Sequence, residues 1–240
     1  MTRRRAVGLL AVAVGPVGWC IAIGAIAGGD PMLALEVGGL ALATLWAALV
    51  ARKLLASRRL SLALEINARE ASLFGVPLRI TPVLGTDAIV VGSIRPRIYV
   101  GSGLLTSLSN DELRAVVLHE DHHRRTRAPI RAAALGAWLR LLGRSEWVRA
   151  ALVGRLTDLE TLADADAIRR GSSPRALARA LLKGDPSLHA VSFAYAAERR
   201  VEQLLDRARG APVAAADRLP YEWLPVALLV VATVGCHAGL

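Results

Sequence analysis

Three long apolar stretches set the first limit on how this chain can fold. Ala6–Ala27 carries no charge and is long enough to cross a bilayer as a helix. Pro31–Val50 is a second such stretch, with Glu36 near its start. Trp223–Leu240 is a third, introduced by Tyr221 and Trp223 at the level where aromatic residues mark a membrane interface. Basic residues orient them. Arg3, Arg4 and Arg5 precede the first stretch, and Arg52, Lys53, Arg58 and Arg59 follow the second. The loop between, Gly28-Gly29-Asp30, has none. The positive-inside rule then places the N-terminus and the region after Val50 in the cytoplasm.

A cleaved signal peptide is the rival reading of the first stretch, with Arg3–Arg5 as its basic region and Ala25-Ile26-Ala27 as a cleavage-like site. The apolar run exceeds the usual signal length and a second stretch follows at once, which favours an uncleaved helix. Much of the excess positive charge, a net +10, is accounted for by basic residues facing anionic headgroups. These arginines are scattered and aromatic residues are few, so direct nucleic-acid binding is not expected. Cys20 and Cys236 both fall in apolar stretches, which leaves the central region without a disulfide framework or a thiolate metal site.

Between the second and third stretches, Lys53–Phe74 has helical character and ends at Gly75-Val76-Pro77. Short β-like runs follow at Leu78–Val83, Ala88–Val91 and Arg97–Val100, punctuated by Gly85, Gly92 and Pro96, as in a small hairpin or meander. Ser109 and Glu112 form a capping-box pattern for a helix that runs to about Arg127 and stops near Pro129. Ile130–Gly143 reads as a packed or half-inserted apolar helix. Leu152–Arg170 is a further helix, and 175–209 holds two more amphipathic ones.

The chemistry lies in His119-Glu120-Asp121-His122-His123. Residues four apart on a helix share a face, so His119 and His123 can bind one zinc ion. Glu120, beside the first histidine, is placed to take a proton from the attacking water as general base. His122 points about a quarter-turn away and is expected to be exposed or a structural contact. A catalytic zinc needs a third protein ligand. His189 and His237 lie in poor contexts, in a loop-like segment and in the last apolar stretch. Glu160 and Asp164 share a helix face at i and i+4. Glu160 can complete the site, and Asp164 can fix the tautomer of a ligand histidine.

With these residues in place, the sequence resembles membrane gluzincins, specifically the peptidase domain of the BlaR/MecR type, with the HtpX and CAAX-protease type second. The likeness runs over roughly 95–205. Arg95–Leu105 resembles the family's edge strand and the turn before its active-site helix. Leu108–His123 is similar to that helix, and Glu160–Ala167 to the downstream element whose glutamate is a zinc ligand. Glu198–Leu205 resembles a late helix of the family. The close separation of the histidine and glutamate helices favours the BlaR/MecR type. Ala128 stands where the family often carries an aspartate.

The expectation is therefore a mainly α, multi-pass membrane protein carrying a zincin-like α+β peptidase domain. Residues 1–51 would hold two membrane helices, 52–218 a cytoplasmic-facing peptidase domain, and 219–240 a last membrane helix. The activity implied is zinc-dependent endopeptidase cleavage of a protein or peptide, such as a cytosolic transcriptional repressor or a membrane protein, with membrane lipids as further partners. The alternatives are a non-catalytic membrane adaptor that keeps the fold and, ranked last, a membrane-tethered nucleic-acid binder. Such a binder would show a steep salt dependence.

Overall fold

The structure, a computed structural model, describes residues 31–183 and Leu204, with side chains from Gly38 onward. The apolar stretches Ala6–Ala27 and Trp223–Leu240 lie outside the described residues. So do His189, His237 and all of Glu198–Leu205 except Leu204. The described chain is mainly helical with a small mixed sheet. Helix α1 spans Pro31–Glu65. Strands β1 (Arg69–Leu73), β2 (Val76–Thr81), β3 (Ala88–Val91) and β4 (Arg97–Gly101) follow, with a 3-10 turn at Pro82–Leu84. Next come α2 (Leu104–Ser107), α3 (Asn110–Arg125), α4 (Ala128–Leu142), α5 (Glu146–Arg169) and α6 (Pro174–Lys183).

Contacts divide the chain into two units, one taking in 31–53 and Arg131–Arg155 of the described residues, the other Leu54–Ile130 and 156–183 with Leu204. In the first, Trp46 and Trp138 stack with ring centroids 5.6 Å apart. The Trp46 indole N–H donates to the Ala134 carbonyl at 3.3 Å. Small buried residues, Ala133, Ala134 and Ala137, let the helices approach closely. The apolar residues 130–143 are thus in a packed helix. Within α1, Gly38–Glu65 is long and apolar enough to cross a membrane, and among the described residues it alone is.

The second unit is built on the sheet, whose order is β1-β2-β4-β3. β1 pairs antiparallel with β2, β2 parallel with β4, and β4 antiparallel with β3. This corrects three expectations. The helical character of Lys53–Phe74 ends at Glu65, and Arg69–Leu73 is a strand, turned by Phe74 and Gly75 at positive φ. The sheet is not a simple hairpin or meander, because β4 inserts between β2 and β3. Arg97–Gly101 is consequently an inner strand, and the edges are β1 and β3. The physical reason is burial: Ile98, Tyr99 and Val100 are fully enclosed, which an edge strand does not achieve. Their side chains alternate between two cores. Ile98 and Val100 face the cluster built on α3 and α6, while Tyr99 joins Val91 and Leu64 of α1.

Helix α3 begins as its sequence dictates. Ser109 Oγ accepts from the Glu112 amide at 3.4 Å, and Glu112 Oε2 accepts from the Ser109 amide at 2.9 Å. The helix stops at Arg125, slightly before the expected Arg127, where a positive φ starts the turn into α4. Leu113, Ala115, Val117 and Leu118 bury its inner side. α5 begins at Glu146, earlier than Leu152, and its buried residues include Ala163, Ala165 and Ala167, which hold Asp164 and Asp166 in the interior.

Candidate metal centre

His119 and His123 lie one turn apart on α3, and Glu160 reaches them from α5. The two Nε2 atoms are 3.0 Å apart. Glu160 places Oε2 3.4 Å from His119 Nε2 and Oε1 3.3 Å from His123 Nε2. A tetrahedral zinc with bonds of about 2.0–2.1 Å would space its donors roughly 3.3–3.4 Å apart. One ligand atom from each residue lies within 4.8 Å of the others, close enough to converge on one small cation, and two imidazoles with a carboxylate are the donor types zinc takes at catalytic centres. The residues fit the ion.

Asp164, one turn beyond Glu160, accepts from His119 Nδ1 at 2.8 Å. A carboxylate can only accept, so the proton stays on Nδ1 and the lone pair of Nε2 is aimed at the triangle. Asp164 is almost fully enclosed, which makes this pairing a strong one. His123 Nδ1 is buried and has no hydrogen-bond partner among the described residues.

Glu120 lines the same cleft as His119 and Glu160. The other walls are Thr86, Asp87, Ala88, Leu104, Val116, Leu177, Ala180 and Leu181, around a space of about 120 Å³. Burial pushes the Glu120 carboxyl above the ordinary range. His123 and His119 oppose that shift, and the charges of Glu160 and Asp87 reinforce it. The lip of the cleft at Thr86–Ala88 is fixed from behind. Gly101 donates to the Asp87 carbonyl at 2.8 Å and Gly103 to the Gly85 carbonyl at 2.9 Å. A Cβ on Gly101 would collide with the Gly85 carbonyl, so only glycine permits this approach.

Two further carboxylates tie α3 to α5. Asp121 is 3 % exposed and accepts from Arg124 at 2.6 and 2.9 Å, from Arg125 at 3.1 Å and from Arg170 at 2.7 Å. Asp166 accepts from Arg125 and, at 2.8 Å, from Arg169. Burial would raise both carboxyls, but the surrounding arginines outweigh it and hold them below the usual range. His122 makes a structural contact, 3.4 Å from Asp166, and burial lowers its pKa. Sequence reasoning gave no role to Asp121 or Asp166. The signal was present, as an acidic residue three and four positions before Arg124 and Arg125, and another before Arg169 and Arg170.

Glu112 was legible as a cap but has a second role. It also accepts from Arg179 at 3.1 Å and Lys183 at 2.7 Å, pinning α6 to the start of α3. The Lys183 bond and the Ser109 amide hold its carboxyl at about 2. Since α6 supplies Leu177, Ala180 and Leu181 to the cleft, this pin fixes one wall of the site.

Comparison with protein-family models, with curated proteins and with solved structures finds no match to this chain.

Proposed function

We propose that this chain is a membrane-anchored zinc endopeptidase of zincin-like architecture, with Glu120 as its general base. The observation that carries the reading is the convergence of His119 Nε2, His123 Nε2 and a Glu160 oxygen, with Glu120 on the same cleft. Zinc held by these three residues would act as a Lewis acid, polarising a peptide carbonyl and making water acidic enough to be deprotonated near neutral pH. His119 and His123 hold the ion from one helix turn and Glu160 from the next helix. Asp164 keeps His119 in the ligating tautomer. Glu120 accepts the proton from water and returns it to the departing amine. The apolar walls from Leu104, Val116, Leu177 and Leu181 exclude water and receive a side chain of the substrate.

The membrane setting rests on Gly38–Glu65 as a span, with the sequence stretches Ala6–Ala27 and Trp223–Leu240 as two more. The basic residues after Val50 support a cytoplasmic position for the peptidase region. Its substrates would be cytosolic proteins, a transcriptional repressor among them, or membrane proteins. The test is Glu120→Ala in the purified full chain. Proteolysis should disappear while zinc stays bound at one ion per chain. Full activity in that variant removes the mechanism, and a zinc-free wild-type chain removes the metal.

A further inference from the structure

We propose that the loop after β3, with Arg58 and Arg59 of α1, is a lipid-headgroup contact that seats this unit on an anionic bilayer surface. The proposal rests on the reading of α1 as a membrane span and adds to it a second, separate point of attachment.

The geometry begins with the order in which the sheet meets α1. Gly92, at the end of β3, donates its amide to Ser57 Oγ at 3.1 Å. Tyr99 of β4 lies further along, donating to Glu65 Oε2 at 2.6 Å with Ser61 Oγ 3.1 Å away, and Arg79 of β2 pairs with Glu65. Along Leu54–Glu65, the edge strand β3 and the loop after it therefore meet the helix one to two turns before β4 and β2 do. Ser57 is one helical turn, about 6 Å, beyond Lys53. The 28 residues of Gly38–Glu65 make a helix about 42 Å long against a hydrocarbon core of about 30 Å. The last turns of α1 must then stand at headgroup level or outside it, where Arg52, Lys53, Arg58 and Arg59 lie.

The loop has the composition such a contact needs. Ile94 is 79 % exposed, the second-highest exposure among the large apolar residues described, and Arg95 beside it is exposed too. The side of α1 opposite the sheet is similar. Ser57, Ser61 and Leu64 face inward, while Leu55 and Leu62 are exposed, with Arg58 and Arg59 exposed between them. Apolar side chains interleaved with arginines, level with the end of a span, match an acyl boundary overlaid by phosphate.

The experiment uses the full chain reconstituted in bilayers, with Cys20 and Cys236 replaced by serine. An environment-sensitive fluorophore is attached through Ile94→Cys or, as a control, Phe74→Cys, at the turn of the opposite sheet edge. Lipid-borne nitroxide should quench the label at 94 at least about twice as strongly in phosphatidylglycerol-containing bilayers as in pure phosphatidylcholine. The label at 74 should respond to aqueous iodide in both. Combining Arg58→Glu with Arg59→Glu should abolish the difference at 94. Iodide quenching at 94 without lipid quenching overturns the proposal. Shielding from both quenchers also overturns it, and would indicate a protein partner instead. Release of the chain by alkaline carbonate would remove the span itself, a distinguishable failure.

Discussion

Asp164 stands 2.8 Å behind His119, on the ring nitrogen opposite the one that faces His123 and Glu160. That arrangement orients the donor before any ion arrives. Asp164→Ala should weaken zinc binding about 10–100-fold, with a smaller loss in Asp164→Asn, whose amide oxygen can still accept from Nδ1. Competition with a colorimetric chelator measures both. Equal affinity in all three proteins would show that the pairing serves only packing.

Glu160→Gln keeps the shape of the side chain and removes its charge. The third donor becomes a poor one, so zinc should be lost on dialysis against a mild chelator, whereas Glu120→Ala should retain it. Metal content by atomic absorption separates the two. Retention in Glu160→Gln would mean that another residue completes the site.

The raised Glu120 carboxyl makes a prediction for the metal-free protein. With no ion beside it, burial should keep Glu120 protonated to a pH above the ordinary glutamate value of 4.5. A Glu120 carboxyl resonance that titrates at or below that value in the zinc-free protein would contradict the role given to burial.

Glu112 predicts acid behaviour of a different kind. Its folded pKa of about 2 lies below the ordinary 4.5, so its contribution to stability is complete above about pH 4.5 and is lost as pH falls toward 2. Glu112→Gln should lower the melting temperature at pH 7 and flatten the loss of stability between those two values. An unchanged acid profile would show that Arg179 and Lys183 gain nothing from the charge.

Gly101→Ala should destabilise the fold by roughly 1–3 kcal/mol, because the new methyl meets backbone that cannot rotate away. Thermal unfolding followed by circular dichroism checks this. A melting temperature equal to wild type would mean that the Thr86–Ala88 lip moves freely.

Much of the site was legible because its signals are local. The Ser109–Glu112 cap, the His119–His123 spacing and the Glu160–Asp164 spacing are each set within one or two helical turns. What escaped was set by distant pairing. The parallel match of Arg79 with Tyr99 leaves no periodic trace in either strand, so the sheet order was invisible. Arg69–Leu73 reads as helix because strand preference depends on the neighbour, here β2, more than on the residues themselves. The distant partners of Asp121 and Glu112, Arg170 and Lys183, come from 49 and 71 residues away.

The arginine–aspartate lattice has a consequence for how this sequence can change over generations. Asp121 is enclosed and shared by Arg124, Arg125 and Arg170, and Arg125 and Arg170 also engage Asp166. Removing the arginines together would leave the enclosed Asp121 carboxylate uncompensated, whereas exchanging the whole set for apolar residues would not. These positions should therefore be inherited as a block, kept together or lost together. Relatives that keep the histidines but drop the lattice would have crossed that gap by several substitutions at once.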